Sequence, residues 1–206
     1  MNYEWIKKDS GLPWLPLDIS IPYEEMLKEA ISLKNLYVSH RSSDAPGGYR
    51  HKGWKSLCIH GISKEKTNHY VTYGYKNHEE TPYGWTDIID KCPITVNWLK
   101  TFPYKNYYRV RFMLLEAGGF IAPHRDGDSK SLGPINIALN NPDECYFKMA
   151  KFGMVPMKPG IVMMLDVSNE HALVNKSLED RYHIIIHGIP GKNFKNLVEK
   201  SYKKYV

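Results

Sequence analysis

Tyr107-Tyr108-Arg109-Val110-Arg111-Phe112-Met113-Leu114-Leu115 alternates along its length. In extended backbone, Tyr108, Val110, Phe112 and Leu114 share one face, and Arg109, Arg111 and Met113 share the other. Downstream lie Ile135 to Leu139, Cys145 to Met149, Ile161 to Asp166, His171 to Val174 and Arg181 to His187. Each is a short β-favouring run bounded by Gly, Pro, Asn or Asp. Short strands at this spacing predict an antiparallel sandwich or barrel of jelly-roll type, because parallel βαβ units would need a helix between strands.

Upstream, the chain reads differently. Residues 1–19 carry Pro13 and Pro16 among Leu12, Trp14 and Leu15, the pattern of an extended arm packed by its apolar side chains. Ser20 is placed to cap a helix with apolar positions Tyr23, Met26, Leu27, Ala30, Ile31 and Leu33, which should end before the turn-rich run 42–48. Lys55 to His60 suggests a strand, and a second helix should run from Pro93 to a stop at Pro103. From Gly191 an amphipathic helix with Phe194, Leu197 and Val198 closes the chain. The expected organisation is a single domain over residues 1–206. It has an N-terminal arm and helix (1–50), a jelly-roll core with an inserted helix (about 51–190) and a basic C-terminal helix (191–206).

Composition narrows the function classes. The chain has 206 residues, 42% hydrophobic and 24% charged, enough apolar content to bury a core and too much for a disordered chain. Its longest purely aliphatic stretch, Ile161 to Leu165, is far short of a bilayer span, and Met1 to Lys8 has no basic-then-apolar leader pattern, so a cytoplasmic protein is expected. Cys58, Cys92 and Cys145 are scattered and odd in number, which argues against a disulfide framework and against a zinc knuckle. The net charge is +6, but Lys192, Lys195, Lys200, Lys203 and Lys204 against Glu199 place most of it in the terminal helix. A solvated helix face accounts for such a run, and nucleic acid is not the expected partner.

The chemistry concentrates after the first strand. In Ala122-Pro123-His124-Arg125-Asp126-Gly127, His124 and Asp126 lie two apart and can offer an imidazole and a carboxylate to one centre. One more histidine would complete a facial two-histidine, one-carboxylate set, the geometry that suits non-haem Fe(II). His171 opens a strand after the turn 166–170 and can return to the same end of the barrel; His183 and His187 are its rivals. Arg181 begins the otherwise apolar strand Tyr182-His183-Ile184-Ile185-Ile186, and a guanidinium facing into a barrel is costly unless an anion meets it.

Taken together, His124-x-Asp126, His171 and Arg181 resemble the Fe(II)/2-oxoglutarate-dependent dioxygenases. Within that class, the chain is similar to the aspartyl/asparaginyl β-hydroxylase branch, which includes bacterial proline hydroxylases. The strand phrases Arg109 to Met113, Ile135 to Leu139 and His171 to Ser177 carry this likeness over about residues 100–190. The resemblance implies a double-stranded β-helix, cupin-like core. It also implies iron on His124, Asp126 and His171, with Arg181 on the distal carboxylate of 2-oxoglutarate and O2 as co-reactant. Asn136 falls where the branch places a polar cosubstrate contact, often a histidine. Classical aspartyl/asparaginyl β-hydroxylases lack the metal carboxylate, so Asp126 leans toward the proline-hydroxylase side and away from halogenation.

The implied reaction is hydroxylation of a C–H bond in a small carboxylate-bearing substrate, an amino acid or an amino-acid residue in a peptide. Arg109, Arg111 and Arg125 are candidates to hold the substrate carboxylate. The alternatives are a non-catalytic jelly-roll binding module and a dioxygenase acting on nucleic acid. The sequence specifies neither the substrate nor the oligomeric state.

Overall fold

One strand organises the architecture. β5 (Tyr104–His124) is 21 residues long and pairs with three neighbours, β3 (His51–Gly61), β10 (His171–Asn175) and β11 (Arg181–Pro190). The computed structural model describes residues 3–41, 49–127 and 132–206. The other elements are β1 (Trp14–Pro16), β2 (Val38–Ser39), β4 (Gly84–Trp85), β6 (Ile135–Ala138), β7 (Cys145–Met149), β8 (Gly153–Met154) and β9 (Val162–Leu165). The helices are α1 (Glu4–Ser10), α2 (Tyr23–Ser32), α3 (Pro93–Thr101) and α4 (Lys192–Tyr205).

The strands form one curled antiparallel sheet in the order β1-β9-β6-β11-β5-β10-β7-β8, with β3 added beside β5 and flanked by β2 and β4. The first half of β5 runs between β11 and β3; beyond a bend its last residues pair with β10. Gly118 and Gly119 make the bend. Gly118 has φ +68, and a Cβ on Gly119 would lie 2.7 Å from the Glu116 carbonyl oxygen and 2.8 Å from that of Lys52. Only glycine fits there. The turned sheet closes as a jelly roll, the double-stranded β-helix expected from the strand spacing.

Two cores result. On the outer face, Val110, Phe112 and Leu114 of β5 join Ile184 and Ile186 of β11 and Ile135 and Ile137 of β6 beneath residues of all four helices. Between the layers, Trp54, Met113, Leu115, Ile121, Phe147, Met163 and Leu173 form a second cluster that plugs one part of the barrel. The alternation read from Val110 to Leu115 is therefore the division between these cores.

Several expectations need correction. The first 19 residues are not an extended arm: Glu4 to Ser10 is helical, with acid in its first turn, Lys7 and Lys8 in its last, and Gly11 closing it at φ +70. Only Trp14 to Pro16 is extended, paired with β9. Ser20 does not cap α2. Pro22 holds the N-cap position, and the Ser20 carbonyl instead accepts from Trp98 Nε1. α2 ends at Ser32, and the run 42–48 lies outside the described residues. A register shift between His187 and Gly188 reverses the phase of β5 before Arg109, so Tyr107, rather than Tyr108, packs against the outer core. The strand expected to end near Leu115, with His124 on a loop beyond a turn at Gly118-Gly119, instead runs on through both glycines to His124. The other expected strands, the helix from Pro93 and the helix after Gly191 lie where the patterns placed them.

Candidate active site

A cavity of about 730 Å³ opens between the layers, lined by residues of β3, β5, β6, β10 and β11 and by the segments before β3 and after it. His124, Asp126 and His171 meet at its wall, one donor atom from each lying within 4.8 Å of the others. They are the one such group among the described residues. His124 and His171 face each other directly across the β5–β10 pair, with ring centroids 4.2 Å apart. Asp126 Oδ1 is 3.7 Å from His124 Nε2.

The backbone sets both imidazoles. His124 Nδ1 donates to the Ala122 carbonyl at 2.8 Å, and His171 Nδ1 donates to the Asn169 carbonyl at 2.9 Å. Each Nε2 is left with its lone pair directed inward, the tautomer a metal requires. Burial and the neighbouring His171 push the His124 pKa down, which favours that neutral form. Tyr49 stacks on His124 at 3.6 Å and shields its outer face.

The turn 166–170 holds the three candidate donors in relation to one another. The Asp126 N–H donates to the Val167 carbonyl, and the Asn169 carbonyl fixes His171. The turn is itself tied by Asp166, a fully buried carboxylate that accepts from the Ser168 N–H and hydroxyl and pairs with Lys7 of α1. The N-terminal helix thus reaches the metal-site turn through one ion pair.

Arg181 is 1% exposed. Its Nε donates to Asn141 Oδ1 at 3.2 Å and its Nη1 to His183 Nδ1 at 3.0 Å, and among the described residues no carboxylate pairs with it. A buried guanidinium without a counter-ion calls for an anion from outside the chain. Asn136 lines the same cavity with its Nδ2 buried and unpartnered. Two neutral imidazole nitrogens and a carboxylate oxygen are the donor set that Fe(II) takes, and the unmatched Arg181 and Asn136 donors fit a carboxylate of 2-oxoglutarate.

The rival histidines are placed elsewhere. His183 serves Arg181 and stacks on Trp54 at 5.4 Å, and His187 lies opposite Arg109 in the β5–β11 register. Arg109 and Arg111 line the cavity, whereas Arg125 is exposed and donates to the Ser168 carbonyl at 3.3 Å. Sequence reasoning missed His40, Tyr49, Asn68, His69 and His78, all of which line the cavity from irregular segments. Their signal was weak, because loop residues have no periodicity to betray which way they face.

Residues 22–189 match the family profile "Aspartyl/Asparaginyl beta-hydroxylase". The chain belongs to this family. It is an Fe(II)- and 2-oxoglutarate-dependent hydroxylase of amino-acid residues, with O2 as the second cosubstrate. No curated protein matches significantly. Among solved structures, one similar chain is a prolyl hydroxylase of Trichoplax adhaerens in complex with a hypoxia-inducible-factor peptide fragment. It shows 11% identity and TM-score 0.49, with 98% of this chain and 90% of that chain covered. A prolyl-4-hydroxylase of Pseudomonas putida shows 12% identity and TM-score 0.45, covering 89% of this chain and 96% of that one. An oxidoreductase of the 2OG-Fe(II) oxygenase family from Burkholderia pseudomallei shows 13% identity and TM-score 0.48, with 92% of each chain covered. All three scores lie below 0.5, and the family assignment rests on the profile match alone. No helix among the described residues is long and apolar enough to cross a membrane.

Proposed function

We propose that His124, Asp126 and His171 hold the ferrous ion, that Arg181 and Asn136 receive 2-oxoglutarate, and that the substrate is an amino acid or a short peptide entering past Tyr49. The observation that carries this reading is Arg181, buried without an acidic partner among the described residues in the cavity where the three donor side chains converge. Bound there, iron, 2-oxoglutarate and O2 supply the oxidation: one oxygen atom enters a C–H bond of the substrate, and 2-oxoglutarate leaves as succinate and CO2.

The chain's own residues bind, orient and exclude water. Asn141 and His183 fix the Arg181 fork from one side, leaving its remaining N–H groups to a carboxylate. Asn136 Nδ2 adds a neutral donor. Trp54, Phe147, Met163 and Leu173 close the inner end against solvent, which strengthens each of these polar contacts. The tail offers little to nucleic acid, since Lys200 and Lys204 pair with Asp18 and Lys195 pairs with Glu199.

Succinate formation from 2-oxoglutarate with added ferrous iron tests the activity. Arg181→Gln tests the assignment: loss of a charge-assisted pair worth about 1.5–3 kcal/mol should raise the 2-oxoglutarate requirement ten- to a hundredfold with metal affinity unchanged. An unchanged 2-oxoglutarate requirement in that variant overturns the role of Arg181.

A further inference from the structure

The cavity holds a second set of unmatched cations. Arg109 and Arg111 lie two residues apart on the inward face of β5. Arg111 is 4% exposed; its Nη1 donates to the Thr67 carbonyl at 2.9 Å and faces His40 Nε2 at 3.4 Å, while its Nε is buried without a partner. The Arg109 side chain makes no hydrogen bond or ion pair with any described residue. Opposite Arg109 stands His187, whose Nδ1 is also buried and unpartnered. One backbone carbonyl and one neutral imidazole satisfy part of one guanidinium and compensate neither charge.

These cations are distinct from Arg181. Along β11, Arg181 pairs with Leu115, Ile185 with Arg111 and His187 with Arg109, which sets the backbone rows of Arg181 and Arg109 about 20 Å apart. Arg109 and Arg111 both feel the Asp126 carboxylate, whereas Arg181 feels Cys145. Burial and the adjacent Arg109 pull the Arg111 pKa down to about 9, as expected of a cation lacking its counter-ion.

The charge balance specifies the missing ligand. Arg41, Arg109, Arg111 and Arg181 line the cavity, with Asp126 the one carboxylate among its described lining residues. A ferrous ion and a 2-oxoglutarate dianion cancel, so the described lining of the loaded site keeps three positive charges. A zwitterionic amino acid such as proline contributes no net negative charge to offset them. We infer that Arg109 and Arg111, with His187 and the Asn68–His69 segment, form a second anion subsite that takes a substrate bearing two negative charges. These are carried either by two carboxylates or by one phosphate monoester. This rests on the proposed roles of the metal triad and Arg181 and adds the charge class of the substrate.

The test is titration calorimetry on the Zn(II)- and 2-oxoglutarate-loaded protein, with Zn(II) replacing iron so that nothing turns over. L-Aspartate, L-glutamate and O-phospho-L-serine are the acidic probes, each carrying a second anionic group beside its α-carboxylate, and L-proline and L-asparagine, with the α-carboxylate alone, are the net-neutral ones. The expected result is at least tenfold tighter binding of one acidic set than of either neutral probe, with the carboxylate and phosphate arms identifying the source of charge. Arg111→Gln should weaken that binding about tenfold or more and leave the 2-oxoglutarate affinity within about twofold. If Arg111→Gln does not fold, Arg109→Gln carries the same expectation, and the preference of the unaltered protein is read in either case. Binding of neutral probes as tight as that of acidic ones, absence of binding by every acidic probe, or equal loss of 2-oxoglutarate and probe affinity overturns the second subsite. Failure of the unaltered protein to bind 2-oxoglutarate would instead overturn the proposed function.

Discussion

The two faces of β5 differ in what their burial achieves. Val110, Phe112 and Leu114 pack outward against helices with no polar atoms to satisfy. On the inner face, Arg111 is enclosed almost as fully and Arg109 is half-buried, and neither forms an ion pair with a described residue. The outer face serves the fold alone, whereas the inner face divides its length between the second core, through Met113 and Leu115, and the cavity, through Arg109 and Arg111. Substitutions of Phe112 and of its neighbour Arg111 should therefore fail in opposite ways.

The largest expected effect comes from the metal set. His171→Ala should abolish iron-dependent succinate formation and shift the melting temperature of the metal-free protein by no more than a few degrees, on the order of 1 kcal/mol. A collapse of stability in that variant would erase the division between the faces. The converse variant is Phe112→Ala, which removes a fully buried ring from the outer core. It should cost about 3–5 kcal/mol in denaturant unfolding and leave metal affinity intact in the remaining folded protein.

Acid sharpens the contrast. His40, His183 and His187 are held well below the ordinary histidine value of 6.5, first by burial and then by neighbouring arginines. Unfolded, they take up protons near 6.5; folded, they do so only at much lower pH. Stability from this source is complete above 6.5 and is lost as pH falls toward the folded values, at about 1.4 kcal/mol per pH unit for each histidine. Urea midpoints measured at about pH 7.5 and 5.5 should differ accordingly. Equal midpoints would mean that the interior does not keep its histidines neutral.

The smallest expected effect is remote. Asp166→Asn removes the partner of Lys7 while keeping an acceptor for Ser168. Metal affinity should fall about tenfold, read by Mn(II) titration, because the turn that orients His171 loses its anchor. An unchanged affinity would show that the turn holds its shape without the N-terminal helix.

The strands and the grouping of His124, Asp126 and His171 were legible because strand geometry is local: side chains two apart share a side, and Gly, Pro and Asn mark the ends. Arg181 was legible for the same reason, as a charge interrupting an apolar run. The phase change at Tyr107 was not, because it comes from a register shift against β11 that no local pattern encodes. Helix α1 was missed although Glu4, the Lys7-Lys8 pair and Gly11 are helix-end signals, since Pro13 and Pro16 dominated the reading of that segment. His40, Asn68 and His78 reach the cavity through tertiary contacts of loops, and their residue types are as common on surfaces as in sites.

The bend at Gly118–Gly119 lets one continuous strand carry both Arg111 and His124, the proposed iron ligand. If Arg111 grips the substrate's charged end, the backbone between the two residues is a ruler laid along the molecule to be oxidised. The number of carbons between head group and attacked bond is then fixed by the chain. Because Gly119 sits where the Glu116 and Lys52 carbonyls leave no room for a side chain, the ruler cannot stretch by small adjustments. Relatives that oxidise a different carbon would have to change the length of this bend rather than the identity of the metal ligands, which makes residues 116–119 the natural handle for redirecting regiochemistry.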